Sequence, residues 1–238
     1  GTVLGADEPV GFLGTGGVVV QFGYVVEERA FQSGVTKMYV PEAFATVEGD
    51  SANAAVLPTG GRTVVAVAGE QELDTLGKGS SIVGIAFRND EQASVFTATY
   101  SSWEARLSRS VNPPSLLDAL IGANVGSDET VVRSGFFTLP GGALPSDVAG
   151  PVPAVFGNTI PFGEGYAYDG GPLLTVLRTS GSQTTAPAID ACSLTTPGYG
   201  SDFAARVAFS STATSAGLEL TYPVTRLSVD AAVRVPES

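Results

Sequence analysis

The stretch GNTIPFGEGYAYDGGPLLTVLRTSGS, residues 157–182, decides the fold class of this chain. Two segments rich in aromatic and branched side chains flank the turn DGGP at 169–172. Aromatic and β-branched residues favour strands, whereas Gly, Asp and Pro favour the turns between them. The stretch therefore predicts a β-hairpin, and the same reasoning extends to the rest of the chain.

The remaining sequence alternates strand-like segments with turns at intervals of about 10–15 residues, which is typical of sandwiches and barrels. The predicted strands are 18–26, 35–44, 62–68, 82–87, 95–107, 131–139, 203–211, 218–224 and 225–233. One short helix is predicted near 115–121, where Ser115 can cap a turn of apolar residues that ends at Gly122. We expect an all-β, antiparallel, jelly-roll-like sandwich over residues 15–235, preceded by an extended arm over residues 1–14.

The charge of the chain excludes several classes of partner. Its 238 residues carry 24 acidic and 12 basic side chains, a formal net charge of −12, with only two lysines, Lys37 and Lys78. Such a chain repels nucleic acids and anionic membrane surfaces, and divalent cations are its natural counter-ions. Alternatively, the charge only keeps the protein soluble. A surface poor in lysine and rich in Ser, Thr and Gly is common on exported proteins, so we expect an extracellular or cell-surface location.

The residue types that are missing exclude several kinds of chemistry. The sequence contains no histidine, which removes Ser-His-Asp and Cys-His catalysis and His-ligated zinc. The single cysteine, Cys192, is either a buried apolar side chain or a free thiol for pairing between chains. No apolar run is long enough to predict a membrane-spanning helix. We therefore expect a protein that is not an enzyme and that needs no cofactor, apart from calcium.

Four stretches of the sequence follow one another in an order that matches a known family. They are SSIVGIAFRND at 80–90, the segment 116–132 with its Gly and Asp residues, the stretch 162–178, and RV at 206–207 with GLEL at 217–220. Together they resemble the β-sandwich domain of exosortase-sorted bacterial surface proteins, which carry a C-terminal Pro-Glu-Pro sorting signal. The resemblance covers roughly residues 35–225 and implies an exported β-sandwich, with no catalytic residues to transfer.

Calcium is the one ligand that the acidic residues suggest. Asp128 and Glu129 place carboxylate oxygens in a glycine-containing loop, and Asp169 places another in the turn at 169–172. Calcium prefers hard oxygen donors of this kind. Alternatively, these acids are ordinary turn residues and solvated charges. We predict that calcium, if bound, is held by Asp128, Glu129 or Asp169.

Two further groups of side chains suggest other functions. Exposed aromatic rings can stack on sugars, and the candidates for such a platform are Trp103, Tyr166, Tyr168, Tyr199 and Tyr222. The alternative is that these rings pack in the core. A glycosidase-type hydrolase would need two carboxylates facing each other across a cleft. Acids that are neighbours on a strand point to opposite faces, which disfavours that geometry.

The N-terminal part of the chain suggests self-association. Residues 1–14 have no clear place in a compact domain and precede a strand whose alternate residues share one face: Val18, Val20, Phe22 and Tyr24. An all-β subunit with an arm and open edges can add a strand to a neighbouring copy, and head-to-tail contacts build filaments. A monomer with a disordered N-terminus is the alternative.

The function predicted from these observations is structural. We expect a homopolymer that forms a filament, sheath or matrix at the cell surface through strand exchange. The alternative function is a carbohydrate-binding or adhesive module with glycans as partners.

Overall fold

The structure is a computed structural model that describes residues 35–90, 97–145, 153–181 and 186–230. All of these residues belong to one compact unit. The predicted boundary between an arm over residues 1–14 and a domain that starts at residue 15 lies outside the described residues.

Strands account for most of the regular structure. They are β1 (Val35–Val40), β2 (Ser51–Asn53), β3 (Arg62–Ala68), β4 (Ser80–Phe87), β5 (Ala98–Tyr100), β6 (Ser102–Arg109), β7 (Thr130–Arg133), β8 (Phe137–Leu139), β9 (Ile160–Tyr168), β10 (Leu173–Ser180), β11 (Ile189–Cys192), β12 (Phe203–Ala208), β13 (Leu218–Leu220), β14 (Tyr222–Pro223) and β15 (Thr225–Asp230). Short 3-10 helices occur at Glu42–Phe44, Glu70–Leu73, Pro114–Leu116 and Ile121–Ala123.

Two large sheets form the body of the fold. One has four strands in the order β1-β15-β4-β9, and the other has six in the order β13-β12-β3-β10-β6-β7. Two smaller sheets have the strand orders β14-β11-β2 and β5-β8. All of the strand pairings are antiparallel. The predicted all-β, antiparallel, sandwich-like fold is confirmed.

The main core contains the inward-facing side chains of both large sheets. Val64 and Leu177 come from the six-stranded sheet, and Ile85 and Leu227 come from the four-stranded sheet. Alternate residues of a strand point to opposite faces, so each of these strands also presents a second set of side chains outward.

A second, smaller core covers the outer face of the six-stranded sheet. Val65 and Val67 of β3 and Leu174 of β10 pack there against Leu117 and Ile121 from the loop after β6. The strand β3 is therefore buried on both faces, which explains why its sequence RTVVAVA is almost continuously apolar.

The segment 115–121 does not form the single helix that its apolar spacing predicts. The helical turn that begins at Pro114 stops at Leu117, whose ψ is 110°, and Leu120 has a ψ of 114° before the next turn begins. Both angles are far from helical values, so the apolar residues of the segment do not form one helical face. Leu117 and Ile121 are buried, whereas Leu116 is exposed.

Asn124 is the reason for this difference. It is fully buried, and its side-chain oxygen accepts from the N–H of Asp118 at 2.9 Å, while its amide donates to the carbonyls of Asp118 and Leu120. The N–H of Ile121 donates to the carbonyl of Thr214 at 3.0 Å. These bonds occupy backbone groups that a helix would need for its own hydrogen bonds.

The stretch 157–182 does not form the predicted hairpin either. β9 pairs with β4 in the four-stranded sheet, whereas β10 pairs with β3 and β6 in the six-stranded sheet. Gly170 and Gly171 have φ values of 95° and 84°, a left-handed conformation that favours glycine. Tyr168 donates its hydroxyl to the carbonyl of Gly171 at 2.8 Å. This turn carries the chain from one sheet to the other, and both strands contribute side chains to the same core.

The chain after residue 156 crosses β4 at very short range. A Cβ atom on Gly84 would lie 2.6 Å from Cγ2 of Thr159 and 3.0 Å from the carbonyl oxygen of Ile160. The register between β4 and β9 also shifts at this point. Only glycine at position 84 leaves room for the crossing segment.

We expect Gly84→Ala to lower the free energy of unfolding by about 1–3 kcal/mol, because the added methyl group must displace a packed backbone segment. Urea denaturation measures the loss. Gly122→Ala is the matched control, since a Cβ on Gly122 meets nothing within 4 Å. An equal effect of the two substitutions would show that the close crossing at Gly84 is not a constraint.

Candidate functional site

A buried ion pair lies just beyond the end of β4. Arg88 follows the strand directly, and its Nε lies 2.5 Å from Oδ2 of Asp190 in β11, with both side chains at most 1% exposed. Asp190 also accepts from the N–H of Gly49 at 2.8 Å, and Arg88 donates to the carbonyl of Val47. Burial raises the pKa of Asp190, and the charge and hydrogen bond of Arg88 offset part of that rise.

Three carboxylates meet on the Asp190 side of this pair. Glu48, Asp90 and Asp190 each have an oxygen within 4.8 Å of the others. Glu48 and Asp90 are half-buried and line a cavity of about 430 Å³ together with residues 49–52. Three carboxylates whose oxygens lie this close together could hold a metal ion. The guanidinium of Arg88 is a positively charged group that already lies beside one of them, Asp190.

The loop that carries Glu48 is fixed by a neighbouring acid. Asp50 accepts hydrogen bonds from the N–H of Ser193 at 2.6 Å and from the hydroxyls of Ser193 and Thr196 at 2.9 and 2.7 Å. Slight burial raises the pKa of Asp50, but these hydrogen bonds outweigh it, so the pKa lies below its usual value. Asp50 therefore holds the loop between Val47 and β2 against the turn that follows β11.

The acids predicted from the sequence to bind calcium are not part of this cluster, and two of them, Asp128 and Glu129, bond to protein groups. The carboxylate of Asp128 accepts from the N–H of Arg109 at 3.0 and 3.1 Å and from the hydroxyl of Tyr166 at 2.6 Å. Glu129 pairs with Arg106 at 3.2 Å on the outer face of the six-stranded sheet.

Asp169 is exposed in the turn between β9 and β10. Among the residues that the structure describes, Asp128, Glu129 and Asp169 do not form a cluster of three ligand atoms. Calcium at these residues stays a prediction.

The sequence does not predict the cluster of Glu48, Asp90 and Asp190, because these three residues come from distant parts of the chain. One signal could have indicated it: Asp190 is the only charged residue in the strand Ile189–Cys192, whose four residues are all buried. A carboxylate in such a strand needs a cationic or hydrogen-bonding partner, since burial of an unpaired charge is costly.

The aromatic residues proposed as a sugar-binding platform pack in the core instead. Trp103, Tyr166, Tyr168 and Tyr222 are at most 5% exposed, which the packing alternative requires. Tyr199 is half-buried and donates its hydroxyl to the carbonyls of Ala205 and Leu220. Any contact with sugars must use other side chains.

Cys192 is also buried, as the first of its two alternatives requires. Burial raises the pKa of its thiol, and the nearby charges of Asp190 and Asp50 raise it further. The thiol is therefore neutral at physiological pH, and it is not available for pairing between folded chains.

The predicted assembly residues, Val18, Val20, Phe22 and Tyr24, lie outside the described residues. Their role in self-association stays a prediction. In the described part of the chain, no helix is long and apolar enough to cross a membrane.

Comparison with known proteins finds no relative of this chain. No family model, no curated protein and no solved structure matches this chain. The resemblance to exosortase-sorted surface proteins therefore stays an expectation from the sequence.

The lowered pKa of Asp50 predicts how stability depends on pH. Because the folded-state pKa is below the unfolded one, the ionised carboxylate stabilises the fold above about pH 4, and this contribution is lost as the pH falls further. We expect Asp50→Asn to lower the free energy of unfolding by about 1 kcal/mol near neutral pH, since the group is exposed and screened by water. The difference from the parent should shrink near pH 3.

Urea denaturation at the two pH values measures this difference. Asp169→Asn is the control, because the carboxylate of Asp169 accepts no hydrogen bond from the described residues. If Asp50→Asn and Asp169→Asn behave alike at both pH values, the bonds of Asp50 do not stabilise the loop.

Proposed function

We propose that this chain is a non-enzymatic structural subunit that associates with copies of itself at the edge of the four-stranded sheet. The observation that carries the proposal is that β1 is an edge strand of the four-stranded sheet among the described residues. Among the described strands, β15 is the one neighbour of β1. The six residues of β1 contain no Gly or Pro, and they pair with β15 in an unbroken register.

The other edges of the large sheets are less suited to pairing. β9 contains Pro161, Gly163 and Gly165, and its register with β4 shifts. In the six-stranded sheet, β13 has three residues and β7 has four. Short length, Pro and bulges are the means by which sheet edges avoid adding a strand. β1 lacks all of these, and Lys37 is its single charged side chain.

The partner that we propose for β1 is the predicted strand 18–26 of a neighbouring copy. That segment is long enough to pair with all six residues of β1. Its alternation of apolar residues would place Val18, Val20, Phe22 and Tyr24 on one face of the extended sheet. A contact between two different surfaces of the same subunit is head-to-tail, and it builds an open filament when the rotation between copies does not close into a ring. The low lysine content and the resemblance to exported surface proteins support a location outside the cell.

This proposal predicts that the full chain forms filaments visible by electron microscopy. We expect Val20→Asp together with Phe22→Asp to abolish them, because two carboxylates cannot be buried on the face of an added strand. A synthetic peptide of residues 15–27 should also inhibit assembly by occupying the β1 edge of the parent protein.

The control is Phe136→Asp, which changes an aromatic side chain that is 69% exposed on the described surface. This variant should assemble like the parent. Filaments of unchanged length and number from the double variant would contradict strand addition by residues 18–26.

We also propose that calcium is the metal ion that the carboxylate cluster accepts. Calcium sites use six to eight oxygen ligands, and the cavity beside Glu48 and Asp90 leaves room for water to complete them. A ligand that binds only the folded state raises stability by about 1.4 kcal/mol at a tenfold excess over its Kd.

Thermal denaturation with millimolar calcium, and then with a chelator, tests this proposal. We expect calcium to raise the Tm, and we expect Glu48→Gln with Asp90→Asn to remove the rise. Asp128→Asn is the comparison, because it changes the site predicted from the sequence. A rise that Asp128→Asn removes and the double variant keeps would place calcium at Asp128, and an unchanged Tm in the parent would exclude both sites.

A further inference from the structure

We infer that a second cavity, on the outer face of the four-stranded sheet, binds a carboxylated sugar, free or as a unit of an acidic polysaccharide. Lys37 and Tyr39 of β1 and Arg226 of β15 form its floor, where Tyr39 and Arg226 are direct neighbours across the two strands. Arg88 and the segment 153–156 form its side. The inference concerns the face of the sheet, whereas the proposed assembly uses its edge.

The charge of this cavity is opposite to that of the chain. Lys37, Arg88 and Arg226 all line it, and none of its described lining residues is Asp or Glu. The whole chain has twice as many acidic as basic side chains. Asp190 compensates the charge of Arg88, but Lys37 and Arg226 have no carboxylate partner among the described residues, so their charges add within the cavity and attract anions to it.

Arg226 is the residue that most strongly indicates an anionic ligand, since it is buried without an acidic partner. It is 9% exposed, and its Nη2 donates at 3.1 Å to the carbonyl of Gly157 and to the hydroxyl of Thr159. Its Nε is buried and has no hydrogen-bond partner, and no carboxylate of the described residues lies within ion-pair distance of the Arg226 guanidinium. Arg88 is more deeply buried, at 1% exposed, but it is compensated by Asp190. A buried guanidinium without a carboxylate partner calls for an anion, which can approach the part of Arg226 that lines the cavity.

Phe156 and Tyr39 add an apolar aromatic surface to the cavity, which suits a ligand that carries a ring. The guanidinium carbons of Arg88 and Arg226 lie 5.1 and 5.4 Å from the centre of the Phe156 ring. The ring of Tyr39 lies 5.3 Å from it. Both aromatic rings are half-buried, so each keeps an exposed part beside the cations. Cations stacked on an aromatic ring are held in place before any ligand arrives, which lowers the entropic cost of binding.

The size of the cavity fits one or two sugar rings. Its volume is about 400 Å³, within the range of sites that bind small molecules. A carboxylated sugar satisfies both features of the lining, because its carboxylate can meet Arg226 and Lys37 while the C–H face of its ring packs on Phe156 or Tyr39. Inorganic anions satisfy only the first of these features, and neutral sugars satisfy only the second.

Calorimetric titration of the full chain tests the inference with four probes: glucuronate, a short oligomer of glucuronate, glucose and sulfate. We expect glucuronate and its oligomer to bind, and glucose and sulfate to bind at least tenfold more weakly. Binding of glucuronate should weaken with added salt. Tighter binding of the oligomer than of the monomer would identify a polysaccharide as the source of the sugar, and equal binding would identify the free sugar.

The two lysines of the chain provide a matched pair of variants. Lys37→Gln removes an exposed charge from the cavity and should weaken glucuronate binding about five- to tenfold, whereas Lys78→Gln changes the other exposed lysine and should leave it unchanged. Phe156→Leu should bring the affinity for glucuronate down toward that for sulfate.

Three results would overturn the inference. They are an absence of measurable binding by glucuronate and its oligomer, equal losses in Lys37→Gln and Lys78→Gln, and an affinity for sulfate equal to that for glucuronate. The thermal midpoint of each variant without ligand shows whether it is folded as the parent is.

Discussion

The ion pair between Arg88 and Asp190 joins parts of the chain that are far apart in the sequence. Arg88 directly follows the apolar strand β4, and Asp190 lies in β11. Both bond to the same loop, since Arg88 donates to the carbonyl of Val47 and Asp190 accepts from the N–H of Gly49. Gly49 approaches β11 so closely that a Cβ there would lie 2.1 Å from the carbonyl oxygen of Ala191. If either charged partner were lost, the other would remain buried and uncompensated, which costs about 3–5 kcal/mol in other proteins. The small sheet that contains β11 is attached to the sandwich at this point.

The same ion pair separates two regions of opposite charge. On one side, Asp190 meets two further carboxylates beside a cavity. On the other side, Arg88 lines a cavity with Lys37 and Arg226. Because Arg88 belongs to both regions, a ligand that changes the position of its guanidinium would also change the charge that the carboxylates experience. If both proposed ligands bind, we expect their affinities to be linked through Arg88, with the coupling equal in both directions.

The sequence predicts the strands well because strand formation depends on local composition. The run at 62–68 coincides with β3, and the run at 82–87 covers all but the first two residues of β4; both are apolar because they are buried. Composition does not determine which sheet a strand joins. The stretch 157–182 has the pattern of a hairpin, yet β9 and β10 enter different sheets, and only the left-handed glycines between them indicate the sharp change of direction. The segment 115–121 has the spacing of a helix, but the buried amide of Asn124 binds its backbone instead.

The candidate sites depend even more on tertiary structure. Glu48, Asp90 and Asp190 meet only after folding, and so do Lys37, Arg88 and Arg226. The acids chosen from the sequence are neighbours along the chain, and the structure directs Asp128 toward Tyr166 and Glu129 toward Arg106. Aromatic residues chosen as a platform are large and apolar, and for that reason they form the core. Phe156, a half-buried ring beside two guanidinium groups, has no distinguishing signal in the sequence.

The burial of Cys192 gives this protein an internal reporter of its own motions. It is the one thiol in the chain, it lies in β11, and it is inaccessible while β14, β11 and β2 remain paired. A thiol reagent can react only when this small sheet opens, so the rate of labelling measures the frequency of local opening around Asp190. Labelling that is much faster than global unfolding would identify the sheet as a separate unit of low stability. Labelling at the rate of global unfolding would show that the ion pair holds this sheet and the sandwich together as one cooperative structure.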